Sequence, residues 1–226
     1  MIVGKQTRYI IRDREQSAVA EAFRVLSTTL QENQAENGAK TILFTSVTNG
    51  ESDSMAAVNT AATLAYSGKK VILVDCDMRH PVLHEIFRGN IFGVTNIILQ
   101  DKTIEEMLQD TEISGLKLLP SGSVPVGPVE LLSNPKLKEM LETLKTMADY
   151  VCIVSAPLII RSSSILSDVC IVASKVDGVV LVIDSRSVKT RTAKKAIELL
   201  NGARAPIVGT VLNDVKADED FIYFAS

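Results

Sequence analysis

Two carboxylates and an arginine follow a buried-strand pattern in residues 71–81 (VILVDCDMRHP), at Asp75, Asp77 and Arg79. Open parallel sheets bind their ligands at the carboxyl ends of the strands, so these side chains stand where chemistry would occur. Two carboxylates two residues apart can hold Mg²⁺, directly or through water. The structural alternative is that the acids cap a helix or pair with Arg79, and the residue types alone leave both interpretations open.

A second strand exit has the setting of a phosphate-binding loop. In residues 45–57 (TSVTNGESDSMAA), a glycine-containing turn lies between an apolar run and an alternating apolar pattern, which predicts strand, turn and helix. A working loop reads G-x-x-x-x-G-K-[ST]. Here Val47 and Ser52 fill the glycine positions, Asp53 fills the lysine position, and only Ser54 fits. The segment is either a nucleotide site that has lost its chemistry or a loop that never had it.

The remaining candidates are weaker. A third buried-strand pattern, residues 150–160 (YVCIVSAPLII), delivers Ser155 to its exit. His80 and His84 have an i, i+4 spacing that zinc can use, but no third ligand is evident in the sequence, which favours a structural role. The serines of residues 161–168 (RSSSILSD) have no histidine nearby in sequence and indicate a loop rather than a nucleophile.

Composition bounds the class of protein. The chain has 226 residues, 46% of them hydrophobic and 4% aromatic, with no tryptophan, which suits a parallel sheet covered by helices. A formal net charge of −3 gives no global basic field that would draw the chain to nucleic acid or anionic lipid. The three cysteines stand in or beside apolar runs and predict reduced thiols near the core of a cytosolic protein. Neither a signal peptide nor a membrane span is expected.

Short β-branched runs alternate with helical patterns along the chain. Strands are predicted over residues 41–45, 71–75, 116–119, 150–154, 179–183 and 207–212, and helices over 18–30, 54–67, 82–87, 135–147 and 189–200. This alternation predicts right-handed crossovers and an α/β fold, with a mostly parallel central sheet and helices on both faces. One domain over residues 1–226 is expected, with an N-terminal arm at 1–16 and a C-terminal tail at 214–226.

Several ordered blocks give the chain a family resemblance from about residue 17 to residue 213. The blocks are SAVAEAFRVLSTTLQ, SGKKVILVDCDMRHPVLHEIF, GVTNIIL, LLPSGSVPVGPVELLSNPKLKEML, VDGVVLVI and IVGTVLND. In order and spacing they resemble the cytoplasmic bacterial tyrosine kinases of capsule and exopolysaccharide synthesis, within the larger group of MinD- and ParA-like ATPases with deviant Walker motifs. The resemblance implies a P-loop NTPase-like fold.

The resemblance also implies a site. Its nucleotide pocket would be formed by the loop, the second Walker segment and the last strand, through Gly50, Glu51, Ser52, Asp53, Ser54, Arg79 and Asn213. Mg²⁺ would lie on Ser54 and Asp77, and Asp75 and Asp77 would be remnants of the catalytic acids. Asn213 matches an asparagine that contacts adenine in related ATPases, and a cap at the end of the last strand explains it equally well.

The departures from the family pattern fall on the catalytic positions. The family's first Walker motif is similar to T-S-x-x-P-G-E-G-K-S-T, and this chain departs from it with Asn49 for the proline, Ser52 for the second glycine, Asp53 for the lysine and Met55 for the threonine. An extra lysine of MinD-like relatives would fall at Thr48, so it does not compensate for the loss.

The third Walker segment and the front helix depart as well. The family's third segment resembles I-I-D-x-P-P, and Ser155 replaces its metal-associated aspartate. The loop that follows is longer than the family's before Asp168, which matches a family aspartate. In the helix before the first strand, Glu21 and Arg24 fit the pattern E-x-x-R-x-x-R, whereas Ser27 replaces the last arginine.

The tyrosine-rich tail of the family is reduced to Tyr223, which lies among Phe221, Ile222 and Phe224 after an acidic run. Working relatives present tail tyrosines to a neighbouring subunit. Tyr223 is therefore a candidate phosphoacceptor for a true kinase, and the alternative is a hydrophobic anchor for the tail.

Electrostatics indicates what these changes imply for function. A lysine ammonium about 5 Å from a phosphate charge contributes about 3 kcal/mol at an effective dielectric near 20, and the carboxylate of Asp53 replaces that attraction by repulsion. A loss of several kcal/mol is roughly a thousandfold in affinity. The sequence therefore predicts a pseudokinase that acts as a scaffold or regulator in polysaccharide biosynthesis, with no required cofactor.

The implied partners are proteins. They are a membrane polysaccharide co-polymerase or activator, a second copy of the chain, or an active kinase, and no nucleic acid is expected. The location would be cytoplasmic, at the inner face of the membrane through a partner. The alternative function is a weak tyrosine autokinase that binds ATP and Mg²⁺, which the retained Asp75, Asp77 and Arg79 favour. A MinD-like spatial organiser is disfavoured, because no C-terminal amphipathic membrane helix is visible.

Overall fold

The structure is a computed structural model that describes residues 18–48, 52–124, 126–158 and 166–215. Its helices are α1 (Ala18–Asn37), α2 (Ser52–Tyr66), α3 (Leu83–Ile86), α4 (Val94–Gln100), α5 (Ile104–Met107), α6 (Pro128–Ser133), α7 (Pro135–Met147), α8 (Leu166–Ala173) and α9 (Thr190–Gly202). Its strands are β1 (Thr41–Ser46), β2 (Val71–Cys76), β3 (Gln109–Asp110), β4 (Leu116–Leu119), β5 (Tyr150–Ser155), β6 (Gly178–Asp184) and β7 (Ile207–Asn213).

The strands form one sheet in the order β3-β4-β2-β5-β1-β6-β7. All neighbouring pairs are parallel except β3–β4 at one edge, which is antiparallel. The predicted mostly parallel sheet is therefore confirmed. Because β2, β5 and β1 are neighbours at its centre, their carboxyl ends meet at one edge, where Cys76 lies opposite Ser155.

Helices cover both faces of the sheet, as the sequence predicts. On one face α1, α2 and α3 pack around side chains such as Phe44 and Leu73. On the other face α4, α6, α7, α8 and α9 pack around side chains such as Leu43 and Ile153. Every position of β1, β2 and β5 is buried, which explains why these strands read as continuous apolar runs rather than alternating ones.

All the predicted strands and helices are present, and most of their ends differ by one or two residues. The largest difference is α1, which continues through the polar residues 31–37 to Asn37 and ends at Gly38, whose φ is 71°. The helices α4, α5, α6 and α8 and the strand β3 were not predicted. The longest of them has eight residues, which is too short for a helical period to show clearly in the sequence.

Three further sequence expectations concern the cysteines, the membrane and the termini. Cys76 and Cys152 are buried, Cys170 is partly buried and all three are free thiols, which confirms their predicted place in or near the core. Burial raises the pKa of the Cys152 thiol to about 12. Within the described ranges no helix is long and apolar enough to cross a bilayer. The arm at 1–16 and residues 216–226 of the tail lie outside the described residues, and the domain boundaries stay a prediction.

Candidate functional site

The candidate site lies where β1, β2 and β5 end. β1 ends at Ser46, and α2 begins at Ser52 after the loop, packing against β1, β2 and β5. The turn between them is fastened to the third strand exit, because Thr45 Oγ1 donates to the carbonyl of Ala156 at 3.1 Å and Leu158 N donates to the carbonyl of Ser46 at 2.8 Å. The sheet order thus brings together the three strand exits that the sequence singled out.

Asp53, which the sequence motif predicts at the lysine position of the loop, turns its carboxyl group into the protein. It is 3% exposed, its Oδ1 accepts a hydrogen bond from Ser54 N at 2.9 Å, and its Oδ2 lies 3.1 Å from Ser46 Oγ. Ser46 Oγ also lies 2.8 Å from the carbonyl oxygen of Thr48. A hydroxyl group has one proton and donates one hydrogen bond. If Ser46 Oγ donates to the Thr48 carbonyl, its contact with Asp53 Oδ2 is a hydrogen bond only when Asp53 is protonated and donates to Ser46 Oγ.

The electrostatics of Asp53 agree with this geometry. Burial is the main cause that raises the pKa of Asp53 to about 6, and the nearby negative charge of Asp77 adds to the shift. The carboxyl group is therefore neutral below that pH and a buried anion above it. The repulsion of phosphate that the sequence predicts at this position is thus strongest at neutral and alkaline pH.

Neutralising Asp53 is expected to change stability in a pH-dependent way. In the folded state Asp53 keeps its proton up to about pH 6, whereas in the unfolded state the carboxyl group loses it near pH 4. Because the folded state holds the proton more tightly, the free energy of unfolding decreases as the pH rises from about 4 to above 6. Asp53→Asn should therefore stabilise the chain by about 2 to 3 kcal/mol near pH 8 and by little near pH 4. Urea unfolding at both pH values measures the effect.

The matched control is Asp110→Asn, because the side chain of Asp110 is 88% exposed and its ion pair with Lys117 lies at the surface. This control should change stability by less than about 0.5 kcal/mol at either pH. An Asp53→Asn variant with the same stability as the unaltered chain near pH 8 would contradict the buried, proton-binding role of Asp53.

Asp75 acts as a structural cap. Its Oδ2 accepts from Val82 N and Leu83 N at the start of α3, each at 3.1 Å, and its Oδ1 accepts from Asp77 N at 3.1 Å. It is fully buried, and this burial raises its pKa to about 7. These contacts agree with the helix-capping interpretation of this acid, and its role as a remnant of a catalytic acid stays a prediction.

Asp77 lies closer to the mouth of the site and is 9% exposed. Its Oδ1 accepts from Arg79 N and His80 N, both at 3.0 Å, so it also closes the turn after β2. Among the described residues no group of three or more His, Cys, Asp or Glu side chains could hold a metal ion. His80 and His84 therefore have no third ligand of these types within the described ranges. A magnesium ion on Asp77 and Ser54, which is 5% exposed, stays a prediction.

Arg79 makes a two-pronged ion pair with Asp168. Its Nε donates to Asp168 Oδ2 at 2.7 Å and its Nη2 donates to Asp168 Oδ1 at 3.3 Å. This hydrogen bonding raises the pKa of the Arg79 guanidinium. The sequence did not predict this pair, since the partners are 89 positions apart. The contact ties the exit of β2 to α8, beyond the third Walker segment.

Ser155, which replaces the family's third-segment aspartate, is buried at the end of β5. It is 1% exposed, and its Oγ donates to the carbonyl of Ala156 at 3.1 Å. This side chain carries no carboxylate. The backbone of Ser155 pairs with that of Cys76 on the neighbouring strand, and its hydroxyl group supplies no charge.

The other predicted residues are less closely tied to the loop. Asn213 is exposed at the end of β7, two strands away from β1, and its carbonyl accepts from Ser185 N at 3.0 Å. Gly50, Glu51 and Tyr223 lie outside the described residues. Sequence reasoning missed one member of the site, Ser46, although its position directly before the loop is a signal that could have identified it.

A cavity of about 580 Å³ lies elsewhere, at the amino ends of β2 and β4. Lys70, Asp110 and Lys117 are among its lining residues. It is at the opposite end of the strands from Asp53 and the other residues of the site.

The sequence is similar to a family of AAA domains and to bacterial tyrosine kinases. The AAA domain family AAA_31 matches residues 39–201, which include the loop, both further strand exits and α8. The putative tyrosine-protein kinase CapB of Staphylococcus aureus is 30% identical over 215 residues, which cover 95% of this chain and 92% of CapB. This chain belongs to the family of bacterial capsule and exopolysaccharide tyrosine kinases. The tyrosine-protein kinase CpsD of Streptococcus agalactiae is similar at 32% identity over 204 residues, covering 89% of this chain and 86% of CpsD.

Solved structures of the kinase family have the same fold. The chimerical protein CapA2B2 superposes with a TM-score of 0.84 at 28% identity, covering 92% of this chain and 90% of that chain. The BceF tyrosine kinase domain superposes with a TM-score of 0.82 at 28% identity, covering 92% of this chain and 83% of that one. MinD from Pyrococcus horikoshii, solved with Mg-ADP, has a TM-score of 0.61 at 21% identity over 76% of this chain and 69% of its own, and shows the shared fold alone. The predicted P-loop NTPase-like fold is confirmed.

Proposed function

We propose that this chain is a non-catalytic member of the kinase family, which acts as a scaffold or regulator in capsule or exopolysaccharide biosynthesis through protein–protein contacts. The observation that carries the proposal is the carboxyl group of Asp53. It occupies the position of the family's phosphate-binding lysine, is 3% exposed and is hydrogen-bonded within its own loop. A group held in this way presents no cation to a nucleotide.

The charge balance of the site supports the same conclusion. Phosphoryl transfer depends on positioning and on cations that stabilise the transferred group. Asp53, Asp75 and Asp77 are carboxyl groups close enough for the charge of Asp77 to raise the pKa of the other two. The guanidinium of Arg79 is engaged by Asp168. Asp75, Asp77 and Arg79 follow the family pattern, so Asp53 is the added charge that turns attraction of a triphosphate into repulsion.

The partners we propose follow from the family. They are a membrane polysaccharide co-polymerase or activator, a second copy of this chain or a catalytically active kinase. The solved relative CapA2B2 is a chimerical protein, which agrees with a function that involves a partner protein. Through such a partner the chain would act in the cytoplasm, at the inner face of the membrane.

Calorimetric titration with ATP and Mg²⁺ near pH 8 tests the proposal. Since the missing lysine and the added carboxylate together cost several kcal/mol, we expect a dissociation constant above about 1 mM. Thermal unfolding of the same sample with and without nucleotide checks that the protein is folded and unaffected. A dissociation constant in the micromolar range would contradict the proposal.

The second candidate is a weak ATP-dependent tyrosine autokinase, which the retained Asp77 and Arg79 favour. Incubation with ATP and Mg²⁺ followed by mass spectrometry would then reveal phosphotyrosine at Tyr223, and Asp77→Ala would remove it. Folded protein that stays unmodified eliminates this candidate.

A further inference from the structure

A run of cations lies at the start of α9. Residues 185–197 (SRSVKTRTAKKAI) contain five Lys and Arg side chains and no acid, in a chain whose net charge is −3. All five are exposed, and none of them forms an ion pair with another residue of the described ranges. We call them the basic surface: Arg186, Lys189, Arg191, Lys194 and Lys195.

The fold directs these cations away from the sheet. α9 buries Ala196 and Leu200, and the helical spacing places Arg191, Lys194 and Lys195 together on the opposite face.

The acids near the basic surface compensate only part of its charge. Glu198 is the only acid on α9 and shares the outward face. The carboxylate of Asp184 is engaged by the backbone, since it accepts from Arg186 N at 2.9 Å and Ser187 N at 3.2 Å. Asp214 meets the surface through its backbone carbonyl, which accepts from Arg186 Nε at 3.3 Å. The five cations outnumber the three neighbouring acids, Asp184, Glu198 and Asp214, so the surface keeps a net positive charge.

Helix stability does not explain this arrangement. The first turn of α9 has no acidic residue, and Lys189 at its N-cap makes no side-chain capping bond. Cations near a helix N-terminus oppose the helix dipole, and like charges at i, i+3 and i, i+4 repel each other. Arg191 lies in the first turn, where it opposes the dipole, and it also repels Lys194 at i, i+3 and Lys195 at i, i+4. Contact with an anionic partner would relieve the repulsion among these cations.

We propose that the basic surface docks on an anionic lipid bilayer. Clusters of four to eight Lys and Arg side chains on an amphipathic helix are typical of contact with anionic headgroups. Ile197 is 37% exposed beside the cations and can enter the headgroup region. Residues 185–202 contain no aromatic side chain on which a nucleic-acid base could stack.

Docking through α9 sets the orientation of the chain. α9 follows the carboxyl end of β6, at the same edge of the sheet as the loop that carries Asp53. The cation-bearing start of α9 therefore lies near the edge of the sheet that holds the candidate site. This inference does not depend on the proposed loss of catalysis, because it uses neither ATP nor the residues of the site.

Co-sedimentation with lipid vesicles tests the inference. At about 0.1 M salt, the full chain should bind vesicles that contain about 30% phosphatidylglycerol in phosphatidylcholine, and should not bind vesicles of phosphatidylcholine alone. Each cation contributes roughly fivefold, so Arg191→Glu/Lys194→Glu/Lys195→Glu should weaken binding by about a hundredfold or more. The control Lys69→Glu/Lys138→Glu/Lys175→Glu changes the net charge equally on other surfaces and should retain binding within about threefold.

A second measurement separates docking from misfolding. Because the three altered side chains are exposed, the α9 variant should unfold at about the same denaturant concentration as the unaltered chain. Three outcomes would overturn the inference: no binding to anionic vesicles, equal losses in the two triple variants, or tighter binding to duplex DNA or to a peptide of residues 214–226 than to the vesicles.

Discussion

Replacing Ser52 with glycine and Asp53 with lysine is expected to raise the affinity of the chain for ATP with Mg²⁺ by roughly a thousandfold near pH 8. The double change removes the buried carboxylate, supplies an ammonium group where the family has one, and lets the backbone approach the phosphates. A cation about 5 Å from a phosphate charge contributes about 3 kcal/mol at an effective dielectric near 20, and removal of the anion adds a comparable amount. Solvent and magnesium reduce the sum to several kcal/mol.

The control for this experiment is Ser52→Gly/Asp53→Asn, which removes the anion without adding a cation. It should recover only part of the affinity, and less of it near pH 5, where Asp53 is already protonated because its pKa is about 6. Calorimetric titration of the unaltered chain and both variants at the two pH values gives the comparison. A folded lysine variant that binds ATP no better than the asparagine variant would contradict the assignment of Asp53 to the lysine position.

Restored binding should not restore catalysis. Ser155 still stands where the family has a metal-associated aspartate, and its hydroxyl donates to the carbonyl of Ala156 rather than offering a charged ligand. Phosphoryl transfer requires the metal as well as the positioned nucleotide. The lysine variant should therefore bind ATP without forming phosphotyrosine, and a further Ser155→Asp change is the step at which weak transfer becomes possible.

Gly93→Ala is expected to destabilise the chain by about 3 kcal/mol or more. A Cβ atom at Gly93 would lie 1.7 Å from the carbonyl oxygen of Pro120 and 2.5 Å from its carbon. These atoms belong to the backbone and cannot rotate away. To relieve the clash, the chain must separate α4 from the exit of β4, which breaks the hydrogen bonds from Val94 N to the Pro120 carbonyl at 2.9 Å and from Thr95 N to the Ser121 carbonyl at 2.8 Å.

Gly202→Ala is the matched control, because a Cβ at Gly202, the last residue of α9, meets no atom within 4 Å. Alanine has the higher helix propensity, so this variant should be unchanged or more stable by up to about 1 kcal/mol. Urea unfolding of both variants measures the difference. If the free energy of unfolding of Gly93→Ala lies within about 1 kcal/mol of that of the unaltered chain, the close approach of α4 to the end of β4 does not require glycine.

The sequence by itself determined the fold class, and it predicts the places where the site differs from its family. Strands such as residues 71–75 and 150–154 are continuous apolar runs, and burial on both faces leaves that signal in the residues themselves. The altered positions were equally visible, because Asp53 and Ser155 occupy defined slots in ordered motifs. Short helices such as α5 and α6 were missed, since four or six residues carry no readable period.

Only the tertiary structure decided what the altered residues do. The sheet order places residues from distant parts of the chain around Asp53, and burial by those residues raises its pKa. The pairing of Arg79 with Asp168 spans 89 positions, and no local pattern encodes it. The net charge of the chain does not indicate the basic surface either, because it does not show which cations lie on the same exposed face of a helix. Desolvation, long-range pairing and exposure depend on how the whole chain is arranged. Apolar strands and short motifs, by contrast, can be identified from consecutive residues alone.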